Sequence, residues 1–313
     1  MDVSIYMRFL NRATNLYKKG DLAKAYELVK EEGRKVGGNQ ALIFNYEYCL
    51  ASRLGDIDAA MDALREAVIE REYWYGYEYL LNDEDLAPLR GLEGFQRLAE
   101  ICRSREQEAK RITRPELFVH GSSESRNPPI LLALHGNGDD VDLTGGYWLP
   151  AAEKGFLVAL PRSSQMTQTD DYTWRDLEKG REEVKAHLQG LFATWGRPES
   201  LVIAGYSGGA RLALYSVLRR DVSPDGFILV APWLPELDEW RGMIEGPPYR
   251  GIRGHILCGD EDKDCFEGAR RVSEMLTGAG IPTEFHIMPG LDHEFPEDFP
   301  SRLWEMLASF ARP

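Results

Sequence analysis

No stretch of this 313-residue chain approaches the roughly 20 consecutive apolar residues that a membrane-spanning helix needs. The opening residues, MDVSIYMRFLNRATNLYKKG, lack the basic stretch and unbroken apolar core of a secretory leader. Their apolar positions (Ile5, Tyr6, Phe9, Leu10, Ala13, Leu16, Tyr17) fall at helical spacing instead. Cysteine is scarce. Cys49, Cys102, Cys258 and Cys265 are scattered in a way that suits reduced, buried thiols in the cytoplasm better than a disulfide framework. Positive charge is also short, with 37 Lys and Arg against 51 Asp and Glu, a net of −14, and no basic run stands out. A phosphate backbone or an anionic membrane surface would be repelled by such a chain, so neither nucleic acid nor membrane is an expected partner.

What is present divides into two halves with different grammar. Residues 1–110 read as helix throughout, and the segment matches itself at an offset of 35. Phe9 aligns with Phe44, Gly20 with Gly55, Asp21 with Asp56, Ala25 with Ala60 and Val29 with Leu64. Gly20 and Gly55 can end a helix in the left-handed conformation, and the aspartate that follows can cap the next helix. Ala25 and Ala60 allow the two helices of each hairpin to approach closely. This pattern resembles the tetratricopeptide repeat. Trp74–Cys102 has lost the Gly-Asp turn and is expected to close the array. Two repeats are few for a peptide-binding solenoid, so they are expected to pack on the second half of the chain, roof its site or mediate homo-oligomerisation, with a protein partner as a further expected role.

From residue 111 the grammar changes. Turn-forming residues, including GSSESRNPP at 121–129, lead into apolar runs at 130–134, 156–160, 201–205, 227–231, 255–259 and 284–288. Helix-like stretches fall between several of them, at Leu177–Trp195, Gly208–Arg220, Phe266–Thr277 and Arg302–Ala311. Continuous Val/Ile/Leu runs alternating with helices indicate an α/β domain with a mostly parallel sheet covered on both faces. The expected boundary is therefore 1–110 helical, 111–313 α/β.

Gly205-Tyr206-Ser207-Gly208-Gly209 stands between a buried-strand run and an apolar helix opening. A bare G-x-S-x-G arises readily by chance, but a strand before it and a helix after it turn the serine hydroxyl out at the sheet's edge. Here the chain resembles the α/β-hydrolase superfamily, with Ser207 as nucleophile. The resemblance implies more. After ILLAL, the turn His135-Gly136-Asn137-Gly138 corresponds to the oxyanion loop, so the N–H groups of Asn137 and Gly208 would bind the developing oxyanion. His135 precedes the serine, against the superfamily's Ser, acid, His order, and is expected to brace that loop. GNGDD is not a dinucleotide fingerprint, lacking a third glycine and an expected helix opening after it.

After HILCG, the superfamily's G-x-x-D pattern falls on Asp262, with Asp260 and Asp264 as close competitors. A calcium loop does not fit D-x-D-x-D here, because Cys265 and Arg271 occupy the positions of the required glycine and acid. After EFHIM, G-x-x-H falls on His293. The implied chemistry is a Ser207–His293–Asp262 triad forming an acyl-enzyme, with no metal and no cofactor.

The 232–254 span is too short for a separate cap domain. Tyr206, Trp148, Trp174 and Trp233 are candidate pocket residues, with Tyr147, Tyr172, Trp240 and Met243 as further aromatic or apolar neighbours. The short lid, LHGNG and GYSGG look most like the phospholipase/carboxylesterase and dienelactone-hydrolase branch, although dienelactone hydrolases use cysteine as nucleophile. The expected activity is a serine carboxylesterase on small to medium acyl esters. Alternatives are a thioesterase or peptidase with the same triad, or a repeat-based adaptor with a non-catalytic hydrolase domain.

Overall fold

A computed structural model describes residues 3–122, 126–246, 249 and 251–310. Residues 123–125 of the expected interdomain turn, and 247, 248 and 250 of the 232–254 span, lie outside the described residues. The chain divides into two compact units. One comprises Met1–Arg114 with Ser164–Tyr172, and the other comprises Pro115–Ser163 with Thr173–Pro313. A single cut at residue 110 therefore misplaces the Ser164–Tyr172 segment.

The first unit holds α1 (Val3–Lys18), α2 (Leu22–Glu32), α3 (Gln40–Leu54), α4 (Ile57–Arg65), α5 (Tyr77–Asn82) and α6 (Glu93–Ile112). Helices α1/α2 and α3/α4 form two successive hairpins that coincide with the offset of 35. Gly20 and Gly55 take φ of 81° and 82° at their turns, a conformation that costs glycine little. Ala25 and Ala60 are fully buried, as close helix approach requires. The capping expectation holds at only one turn. Asp56 accepts from the Ala59 N–H at 3.1 Å, whereas Asp21 makes no such bond.

The hairpin of β4 (Met166–Gln168) and β5 (Asp171–Tyr172) completes this unit. Gln168 bridges to Tyr75, the Thr169 N–H donates to the Trp74 carbonyl at 3.0 Å, and the Asn39 side chain donates to the Asp170 carbonyl at 2.9 Å.

The second unit carries the sheet. Its strands are β1 (Glu116–His120), β2 (Ile130–Leu134), β3 (Leu157–Arg162), β6 (Leu201–Tyr206), β7 (Gly226–Val230), β8 (Arg253–Gly259) and β9 (Thr283–Met288). Their order is β1-β3-β2-β6-β7-β8-β9, with only β1 antiparallel. Strands β2, β6 and β7 are buried along their whole length, which is why they read as unbroken apolar runs.

Helices α7 (Val141–Trp148), α8 (Leu177–Trp195), α9 (Gly208–Leu218), α10 (Arg241–Ile244), α11 (Phe266–Gly278) and α12 (Phe299–Ser309) lie between or after the strands. Helix α7 corrects one expectation, since a helix does open directly after GNGDD. Asp140 caps it by accepting the Val141 N–H, while two internal glycines hid its periodicity. Arranged this way, β6, β8 and β9 deliver Ser207, Asp262 and His293 from loops at their carboxyl ends, where open α/β sheets place ligands.

Candidate active site

Ser207 sits between β6 and α9 with φ 52° and ψ −117°, a region that a non-glycine residue occupies only at a cost of order 1–3 kcal/mol. The surroundings hold it there. The Ser207 N–H donates to the Val230 carbonyl at 2.9 Å, and its carbonyl accepts from the Arg211 N–H at 3.1 Å and the Trp233 N–H at 3.4 Å. The flanking glycines are required by close approach. A Cβ on Gly205 would fall 2.4 Å from the Gly209 carbonyl carbon. One on Gly209 would fall 2.3 Å from the His135 carbonyl oxygen.

One Cβ more, on Gly208, would lie 2.3–2.6 Å from the side-chain amide of Asn137, so Asn137 packs directly over the first residue of α9. The Asn137 side-chain oxygen accepts from the Trp174 N–H at 2.7 Å and the Thr173 hydroxyl at 2.9 Å, which fixes the loop's conformation. His135 occupies the bracing position. Its Nε2 accepts from the Ser163 N–H at 3.2 Å, its Nδ1 lies 2.7 Å from the Gly136 carbonyl, and its ring packs tilted against Trp174, with centroids 4.8 Å apart. Burial lowers its pKa to about 4, so it stays neutral, as that pattern of one donor and one acceptor nitrogen demands.

Behind the loop, the Asp139 carboxylate accepts from the Gly136 N–H at 3.3 Å and the Asp140 N–H at 2.7 Å. Burial pushes its pKa up to about 7.

Asp262 and His293 meet. His293 Nδ1 lies 2.7 Å from Asp262 Oδ2, and the other carboxylate oxygen accepts from the Cys265 N–H at 3.1 Å. Burial, with only 2% of Asp262 exposed, opposes its charge. The hydrogen bond and charge of His293, with the backbone N–H groups of Cys265 and Asp264, overcome that and hold the carboxyl below its usual range. Of the competing aspartates, Asp260 instead accepts from the Gly290 N–H at 2.6 Å. Tyr206, next to Ser207, donates its hydroxyl to the His293 carbonyl at 2.8 Å, and its ring centroid lies 5.0 Å from the imidazole. The serine's own strand thus supports the histidine loop.

The aromatic candidates separate by burial. Trp148 is 1% exposed and packs edge-on against Phe295 and Phe299, and Trp174 is fully buried with its indole N–H on the His135 carbonyl. Both are corrected from pocket wall to internal support, because neither offers surface to a ligand. Tyr206 is likewise buried among His293 and Phe295, and Tyr147 stacks on Phe295. Trp240 is buried too, and Tyr172 belongs to the other unit.

Trp233 differs. It is 38% exposed, its N–H reaches Ser207, and the Arg211 guanidinium lies 5.2 Å from its ring centroid while bonding Glu236. Sequence reading missed the supports Thr173, Asp139 and the Arg211–Glu236 pair, since polar residues on loops carry no periodic signal.

Two groups of metal-capable side chains occur among the described residues. One is Asp262, Cys265 and His293, where burial raises the Cys265 pKa and keeps it a thiol, a poor ligand. The other, His255 with Glu284 and His286, lies on β8 and β9.

Comparison with known proteins now bears on this geometry. A solved structure of an uncharacterized protein from Bacillus cereus ATCC 10987 shares 37% identity, covering 98% of each chain with a TM-score of 0.57. This chain belongs to that protein's family. Residues 5–110 match the family described as A/B hydrolase-like, N-terminal domain. Over 63% of the chain it is similar at 19% identity to all of esterase PE8, with a TM-score of 0.53. A similar 63% matches 99% of Zea mays acyl-protein thioesterase 2 at 19% identity and a TM-score of 0.50. These likenesses show a shared α/β-hydrolase fold. No curated protein matches the sequence.

Proposed function

We propose that this family member is a serine hydrolase of carboxylic esters with small to medium acyl groups. Ser207 is the nucleophile, His293 the general base and then acid, and Asp262 the group that orients and stabilises the imidazolium. The observation that carries the reading is the 2.7 Å Asp262–His293 pair on loops that follow β8 and β9, in the same unit as a strained serine whose flanking glycines admit no side chain. Asp262 on Nδ1 leaves His293 Nε2 to take the serine proton as Ser207 attacks the acyl carbon, and the alkoxide leaves with that proton. Water activated by His293 then releases the acid. The N–H groups of Asn137 and Gly208 are assigned to the tetrahedral oxyanion, where losing one donor typically costs on the order of 100- to 1000-fold in rate.

Trp233 is the assigned pocket wall. The same machinery would cleave a thioester, and the fold shared with an acyl-protein thioesterase gives that reading its support. The acidic balance of the chain fits a freely diffusing ester better than one held at an anionic surface, and the cytoplasm is the assigned compartment. The helical unit is assigned to a protein partner or a second copy.

Purified protein should turn over short-chain p-nitrophenyl esters and carry a fluorophosphonate label. Ser207→Ala should lose the label and at least about 1000-fold in rate. Equal turnover in the variant would refute Ser207 as the nucleophile, and no label on the wild type would favour a non-catalytic adaptor.

A further inference from the structure

We infer that His255, Glu284 and His286 bind a divalent transition-metal ion of borderline softness, zinc above all, at a site separate from the hydrolytic one. The parallel register sets His255 of β8 beside Glu284 of β9, and Leu257 beside His286, so the three side chains share one face of the sheet. His255 Nδ1 lies 3.0 Å from His286 Nε2. Glu284 Oε2 lies 3.8 Å from the first nitrogen and 3.9 Å from the second. A point equidistant from these three atoms is about 2.1 Å from each, within the range of about 2.0–2.2 Å for zinc bound by imidazole nitrogen and carboxylate oxygen. Two imidazoles and one carboxylate are also a zinc ligand set in kind, with water left to complete the tetrahedron beside the exposed Glu284.

A second observation concerns the tautomer. Ser309, at the end of α12, donates its hydroxyl to the Met306 carbonyl at 2.7 Å. Its oxygen is therefore left to accept from His255 Nε2, 2.8 Å away. With the Ser309 hydroxyl donating to Met306, the His255 proton sits on Nε2 and its Nδ1 accepts from His286 Nε2 at 3.0 Å, the bond that an ion would replace. Metal-binding imidazoles are typically held by this kind of outer hydrogen bond. Binding then needs only that the His286 proton reside on Nδ1, a shift between neutral tautomers. The ion would tie β9, the outermost strand, to β8, upstream of the loop that carries His293.

The full chain, stripped with a chelator and dialysed, is titrated with zinc chloride by calorimetry, and with Co(II) as an optical probe. The expected result is one saturating equivalent and a zinc-dependent rise in melting temperature. His286→Ala should abolish both, Glu284→Gln should weaken binding at least tenfold, and Ser309→Ala should weaken it about tenfold by freeing the tautomer. Because Glu284 is exposed, its variant keeps the test valid if His286→Ala fails to fold. Absence of a saturable equivalent overturns the inference. So does retention of the ion in both His286→Ala and Glu284→Gln, or its loss only in Cys265→Ala, which would place it beside Asp262. None of these readouts depends on ester turnover, so they stand or fall apart from the proposed activity.

Discussion

At Gly55 the chain leaves α3, at Ser207 it leaves β6, and at both points the backbone turns sharply through positive φ, 82° and 52°. In the helical unit glycine itself takes the left-handed position, and nothing lies within 4 Å of where a Cβ would sit. At the elbow the assignment is reversed: a serine holds the strained position, and glycines at 205, 208 and 209 make the room. A turn selected only for its shape would put glycine where the strain is. A hydroxyl kept there, among glycine neighbours that admit no side chain, is the arrangement that the proposed nucleophile requires.

Four tests probe this contrast. The largest effect is expected from Asp262→Asn, which keeps the elbow but favours the wrong His293 tautomer. Ester turnover should fall on the order of 10⁴-fold while the melting temperature moves little, and a loss under tenfold would detach Asp262 from the chemistry. Gly209→Ala should follow, destabilising by at least about 3 kcal/mol in denaturant titration, because the new methyl meets two backbone carbonyls that cannot rotate away. Ser207→Gly should be more stable than Ser207→Ala by about 1 kcal/mol with both inactive, since only glycine relaxes at that φ, and equal stability would mean the elbow stores no strain.

The smallest effect belongs to the helical turns. Asp56→Ala should cost about 1 kcal/mol by removing a real cap, and Asp21→Ala less than half of that. Asp21 offers only an exposed 3.4 Å pairing with Lys24, and such pairs contribute little.

Much of this was legible in the sequence, for reasons that also explain the gaps. The apolar runs announced β2, β3 and β6–β8 because parallel strands covered on both faces are nearly continuously apolar, while β9, an edge strand of mixed burial, showed only in the short EFHIM run. The superfamily resemblance implied the order Ser207, Asp262, His293. Local pattern said nothing of β1, an edge strand with only partial burial, or of α7, whose glycines blur its period. It was silent on the β4–β5 hairpin, three and two residues long, whose placement rests on Trp74, Tyr75 and Asn39 far back in the chain. The fate of Trp148 and Trp174 was equally hidden, since a tryptophan's burial depends on what closes over it.

That hairpin has a consequence for how the protein is made. The helical unit stays unfinished when Arg114 leaves the ribosome, because its last piece, Ser164–Tyr172, is encoded within the other unit. At roughly 5–20 residues per second, several seconds of synthesis separate the two. During that interval Trp74, Tyr75 and Asn39 await partners not yet translated. A gene fragment ending near residue 114 would inherit the same gap permanently, so the helical unit is not a cassette that can be excised and reused by a simple cut.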